Sequence, residues 1–202
     1  MVREVEKGER KGGTNQVGYR DSDRGSGEGR IGEDPSVGPG WKLPGEGVVK
    51  VNTDAGVVAG LGIGLGAVAR DSSGQLRWAV AFQMAADRSP KMAEAEAVLM
   101  GLKEAKRAGY ERIIMESDCL NVITDLREKK TGRTDIFRVY DDIFSLCNSF
   151  ISVVFSYVRR ESNCVAHNVA HSVPWEYGRR SWIEDVPRNV LDAISSDLND
   201  MN

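Results

Sequence analysis

The chain has 202 residues, with 27 Lys and Arg against 30 Asp and Glu and a formal net charge of −3. That length admits one ordinary domain with extra terminal sequence, or two very small ones, and the balance lacks the basic surplus of a typical nucleic-acid binder. No run of about 18 apolar residues and no apolar stretch behind the charged N-terminus argues for a membrane span or a secretory signal, so a soluble, intracellular protein with no membrane partner is expected.

Residues 1–40 hold ten of the 22 glycines, together with seven basic and eight acidic side chains and a single aromatic, Tyr19. Such a segment buries too little apolar surface to offset the ordering entropy of its backbone, and it reads as a disordered leader. The remainder carries 20 basic and 22 acidic residues and is long enough for one core. Cys119, Cys147 and Cys164 are odd in number and show no C-x-x-C spacing, which favours free thiols in a reducing compartment.

From Trp41 the texture changes. Val48 to Asp54 reads as a strand ending on a carboxylate, Gly62 to Arg70 as a run of small apolar residues, and Asp71-Ser72-Ser73-Gly74 as a hairpin turn leading to a third strand, Gln75 to Met84. Short turns between three successive strands predict an antiparallel meander. Ser89 as N-cap and Pro90 at the first position open a helix in which Ala95, Val98, Leu99, Leu102 and Ala105 recur until Gly109. Then follow a short strand, Arg112 to Glu116, a helix from about Asp118 to Lys130, a second from Asp135 to Asn148, a strand from Ile151 to Val158 and a helix from Asn163 to Ser172. The order βββαβααβα predicts a mixed sheet with helices packed on it. Residues 174–202 read as a C-terminal appendage, partly helical, with Val190, Leu191, Ile194 and Leu198 at helical spacing.

This order brings Asp54, Asp118 and a carboxylate of the long helix to one place. At 100° per residue Glu96 shares its face with Met100, Lys103 and Arg107, whereas Glu94 shares its face with Ala97, Val98, Gly101 and Ala108. Glu94 therefore stands among small residues that allow close approach, an odd place for an acid unless a positive group meets it. Taken singly, Asp118 is equally a helix cap and Asp54 a turn former. Taken together, three carboxylates suit a hard divalent cation. His167 and His171 form an i, i+4 pair that resembles half of a zinc site but lacks the glutamate of H-E-x-x-H, which counts against zinc; as a plain alternative, Asn163, His167 and His171 make a solvated stripe opposite Val165 and Val169. Gly60, Gly62, Gly64 and Gly66 alternate along a strand and precede a hairpin, so they suit close packing on one sheet face and not a dinucleotide loop.

Trp41-Lys42-Leu43-Pro44, Val49-Lys50-Val51-Asn52-Thr53-Asp54, Val68-Ala69-Arg70-Asp71-Ser72-Ser73-Gly74, Ala93-Glu94-Ala95-Glu96-Ala97, Glu116-Ser117-Asp118 and Val158-Arg159-Arg160-Glu161-Ser162-Asn163 with Ala166-His167 together resemble the ribonuclease H type 1 family. The likeness is greatest to its plant branch related to non-LTR retrotransposon reverse transcriptases, and it spans about residues 41–200. It implies an α/β, ribonuclease H-like fold: a five-stranded mixed sheet, a three-strand antiparallel meander plus two parallel strands, with helices on both faces. Residues 41–173 would form that domain. It further implies a monomeric endonuclease that hydrolyses the RNA strand of RNA–DNA hybrids with two Mg²⁺ ions, Mn²⁺ being an alternative, held by Asp54, Glu94 and Asp118. The family's fourth acidic ligand falls on His167, a neutral and softer donor, and its paired minor-groove asparagines fall on Pro90 and Lys91. Lys91, Asn163, Arg159 and Arg160 are the expected substrate contacts. The rival expectation is a catalytically weakened, nucleic-acid-binding domain derived from a retroelement.

Overall fold

The computed structural model describes residues 40–172 and 174–199; the expected leader lies, apart from Gly40, outside the described residues. Six strands form one sheet: β1 (Val49–Val58), β2 (Gly62–Arg70), β3 (Leu76–Met84), β4 (Arg112–Ser117), β5 (Ser152–Tyr157) and β6 (Gly178–Trp182), in the order β5-β4-β1-β2-β3-β6. β1, β2 and β3 pair antiparallel, while β4 lies parallel to β1 and β5 parallel to β4. The mixed α/β sheet is the expected one with one strand added, because Gly178–Trp182 pairs antiparallel with the free edge of β3. At the β2–β3 turn the Asp71 carboxylate accepts from the Ser73 N–H at 2.9 Å, and Gly74 takes the positive φ of +78° that such a turn asks of its last residue.

Among the described residues five α-helices pack with the sheet: α1 (Pro90–Arg107), α2 (Leu120–Arg127), α3 (Asp135–Cys147), α4 (Cys164–Ala170) and α5 (Arg188–Asn199). The Ser89 hydroxyl accepts from the Met92 N–H, so the expected cap of α1 is made. Side chains of β2 alternate between two cores. Ala67 and Ala69 join Val51, Ile113 and Met115 beneath Val98, Leu102, Leu126 and Ile143 of α1–α3. Val68 turns to the other face and packs with Val165 and Val169 of α4 and Val190 and Ile194 of α5. Burial on both faces explains why β2 reads as an unbroken apolar run with no alternation.

A polar network runs through the sheet's end. Arg70, fully buried, stacks on Trp41 at 3.5 Å, pairs with Asp197 of α5 at 2.5 Å and donates to the Asn52 side-chain oxygen at 3.2 Å. Asn52 in turn donates to Glu116 at 2.9 Å and to Asn163 at 3.3 Å, and Lys50 closes the group on Glu116 at 2.8 Å. Among the described residues no helix is long and apolar enough to cross a membrane.

Candidate metal centre

Asp54 lies in the middle of β1, four residues further from its end than the sequence reading placed it. The parallel ladder with β4 stops at Thr53 opposite Ser117, whereas the antiparallel ladder with β2 continues to Val58 opposite Gly62. Asp54 therefore occupies the point where β1 and β4 part, and Asp118 follows directly on the last residue of β4. Asp118 is not the cap of α2: that place belongs to Cys119, which makes no side-chain capping bond. Glu94 arrives from α1. Two turns further along the same face, a Cβ on Gly101 would stand 2.8 Å from the Thr53 methyl, so glycine there lets α1 settle on β1 and carries Glu94 towards Asp54.

One oxygen each of Asp54, Glu94 and Asp118 lies within 4.8 Å of the other two. Asp54 is buried and the other two are half-buried. Burial, reinforced by Asp54 and Asp118, pushes the Glu94 carboxyl up to about 9, with the Ala55 N–H and Arg160 opposing. Burial and Asp118 also raise Asp54, while His167 and His171 pull it down. Glu94 Oε2 is enclosed with no hydrogen-bond partner in the protein. Three crowded acids, two of them held towards their neutral forms, with an orphaned oxygen among them, fit a hard divalent cation, whose charge would reverse those shifts. Glu96 is not part of the group: it pairs with Arg88 at 3.0 Å.

His167 sits over the same centre, its Nδ1 2.9 Å from Asp54 Oδ2. His171 lies one turn on, its Nδ1 3.8 Å from the same oxygen. Asn163 is buried and holds the site from behind, donating to the Thr53 carbonyl and to Asp118 Oδ1, both at 2.9 Å. The stripe Asn163, His167, His171 thus faces the carboxylates, because α5 covers the Val165–Val169 side of α4. Lys91, near the start of α1, reaches Asp125 at 2.6 Å with its side chain still 42% exposed. It borders an open cleft with Arg88, Ser89, Thr134 and Arg138. Arg159 and Arg160 are exposed on the turn before α4. Sequence reasoning missed Asn52 and Arg70, which couple Asn163 to α5; a buried polar side chain within an apolar strand pattern was the only available signal.

Residues 52–173 match the reverse transcriptase-like family. Among solved structures the chain resembles RNase H1 of the halophilic archaeon Halobacterium salinarum NRC-1, with 20% identity, a TM-score of 0.57, and 61% of this chain and 94% of that one covered. It also resembles the N-terminal RNase H domain of a Mycobacterium tuberculosis protein fused to maltose-binding protein (21%, 0.56, 61% and 95%) and LC11-RNase H1 in complex with an RNA/DNA hybrid (19%, 0.54, 60% and 92%). No curated protein matches it. At such identities the likeness is one of fold, while the family match covers more than half of the chain. The chain belongs to the reverse transcriptase-like family and has a ribonuclease H-like fold.

Proposed function

We propose that this chain is a metal-dependent endonuclease that hydrolyses the RNA strand of RNA–DNA hybrids. The observation that carries the reading is the convergence of Asp54, Glu94 and Asp118 oxygens within 4.8 Å of one another in a member of this family. Asp54, Glu94 and Asp118 would hold divalent ions, Mg²⁺ or Mn²⁺. The chemistry such ions would supply when bound is polarisation of a phosphate and activation of water. The chain's own part is placement. Asn163 fixes the Asp118 carboxylate through the 2.9 Å amide contact, and His167 fixes Asp54. Arg160, whose charge acts on Glu94, and its exposed neighbour Arg159 would serve as phosphate contacts, and Lys91 would become another by exchanging Asp125 for a backbone phosphate. Hydrolysis adds water across the phosphodiester, leaving a 3′-hydroxyl on one fragment and a 5′-phosphate on the other. In this reading residues 41–173 are the hybrid-processing domain, residues 174–202 an extension whose strand Gly178–Trp182 closes one sheet edge, and residues 1–40 a leader.

A purified sample given an end-labelled hybrid should cut only the RNA strand, with Mg²⁺ or Mn²⁺ and not in EDTA. Asp54→Asn should lose at least about 100-fold in rate. Cutting that survives in Asp54→Asn, or no cutting in either metal, overturns the reading. One observation favours the second, binding-only reading: the place beside Asp54 is taken by an imidazole within hydrogen-bond distance of it, a side chain that brings no negative charge to a second ion. Tight hybrid binding with no cleavage in either metal would select it.

A further inference from the structure

Asp54 belongs to a second cluster whose donors are different. Asp54, Gly56, Gly64 and Gly66 lie on one face of the β1–β2 ladder, Asp54 opposite Gly66 and Gly56 opposite Gly64. A Cβ on Gly66 would stand 2.5 Å from the Ala166 carbonyl oxygen and the Ala170 nitrogen, and one on Gly64 would overlap the Ala170 carbonyl. The glycines let the backbone of α4 rest directly on the sheet. Gly56 clears the remaining space, since its Cβ would overlap the His171 imidazole. Two imidazoles, 4.2 Å apart between centroids and tilted by 38°, are thereby set over one carboxylate.

The result is a preformed group of three donors. A nitrogen of His167, a nitrogen of His171 and an oxygen of Asp54 all lie within 4.8 Å of one another. His167 is at hydrogen-bond distance from Asp54 Oδ2, but His171, at 3.8 Å, is not. The His171 Nδ1 also lies 3.1 Å from the His167 carbonyl oxygen, a contact that holds the ring over the strand in the absence of an ion and that the ring gives up if it ligates through Nδ1. Both rings are about one-third exposed, so an ion can enter and water can complete its shell. Two imidazoles and one carboxylate suit borderline ions and not Mg²⁺, which prefers an all-oxygen octahedron. The i, i+4 histidine pair supplies only two ligands; the strand beneath it supplies the third.

We propose that Asp54, His167 and His171 form a binding site for a divalent transition-metal ion, Zn²⁺ or Co²⁺. The site shares Asp54 with the carboxylate cluster and does not depend on that cluster turning over substrate.

Protein stripped with EDTA is titrated with Co²⁺ in excess Mg²⁺, read by visible ligand-field absorption and calorimetry, and then challenged with Zn²⁺. The expected result is one Co²⁺ with nitrogen-donor bands, displaced by Zn²⁺ and not by a 100-fold excess of Mg²⁺. His167→Ala and His171→Asn should each weaken it at least about tenfold. Gly56→Ala should weaken it although every ligand remains, because it displaces the His171 ring. Glu94→Gln should leave affinity within about threefold. Affinity unchanged in both histidine variants and in Gly56→Ala overturns the proposal. So does a thiolate charge-transfer band, which would place the ion on a cysteine, or a loss in Glu94→Gln equal to that in His171→Asn. Hybrid cleavage in Mg²⁺ by the wild type is scored separately, so failure of the hydrolase reading and failure of this site give different results.

Discussion

Removing the Asp197 carboxylate strands the Arg70 guanidinium inside the protein. Arg70 is fully buried, with Nη1 2.5 Å from Asp197 Oδ2, Nη2 3.2 Å from the Asn52 oxygen and its planar group 3.5 Å from the Trp41 ring centre. In Asp197→Ala the guanidinium keeps only a neutral amide and an aromatic face in direct contact, with the more distant Glu116 carboxylate, already paired to Lys50, as its remaining counter-charge. Breaking a buried pair by removing one partner costs about 3–5 kcal/mol, a large part of the roughly 5–15 kcal/mol that stabilises an ordinary domain. At a urea slope of about 2 kcal/mol/M the midpoint should fall by about 2 M. Urea unfolding followed by tryptophan fluorescence reads it, since Trp41 is the stacking partner. Arg70→Met combined with Asp197→Leu should recover most of the loss, because neither charge of the pair is then left without its partner and Arg70 Nε, which has no acceptor even in the wild type, is gone. A loss below about 1 kcal/mol in Asp197→Ala would refute the reasoning: α5 would then lift off readily enough for water to solvate Arg70.

Glu94 gives a pH dependence. Its carboxyl is raised to about 9, whereas an unfolded glutamate titrates near 4.3, so between those values the folded state keeps a proton the unfolded state has lost. Stability of the metal-free protein should therefore fall as pH rises through that window, on the order of 3 kcal/mol by pH 7. Glu94→Gln should flatten most of the slope in denaturation series run in EDTA. Gly66→Ala should destabilise by about 1–3 kcal/mol, because its Cβ meets α4 backbone and not a flexible side-chain end; an unchanged melting temperature would contradict the close packing. Asn163→Ala should leave the fold intact but weaken Mg²⁺ about 10- to 100-fold by calorimetry, because Asp118 loses the amide that orients it.

The three acids were legible because each sits at a position that local rules define: the end of a parallel ladder, the small-residue face of a helix and the residue after a strand. The small face of Ala97, Val98, Gly101 and Ala108 was the clue that separated Glu94 from Glu96, and Gly101 of that face lies against Thr53. Less legible was everything that depends on contacts distant in sequence. Gly178–Trp182 carries two arginines and no apolar alternation, yet it becomes a strand because β3 offers an open edge and Arg180 can donate to Gln83 and Ser172. Arg70 closes the apolar run that begins at Gly62, and nothing near it in sequence indicates its partner, which lies 127 residues away. Asn163 reads from sequence as a substrate contact or as part of a solvated stripe, whereas α5 takes the valine side of α4 and the sheet takes the other, so Asn163 is buried against Thr53. The doubled use of Asp54 was equally hidden, since nothing local to His167 and His171 indicates which strand lies beneath them.

The central claim is that Asp54, Glu94 and Asp118 act as one metal centre, and a Mg²⁺ titration followed by carboxylate carbon and backbone amide NMR shifts tests it most directly. The three side chains should shift together along one binding curve at first, with the Glu94 carboxyl passing from its protonated to its ionised shift at pH 7 as the ion enters. Separate curves for the three acids, or a Glu94 carboxyl that stays protonated at saturating Mg²⁺, would contradict it.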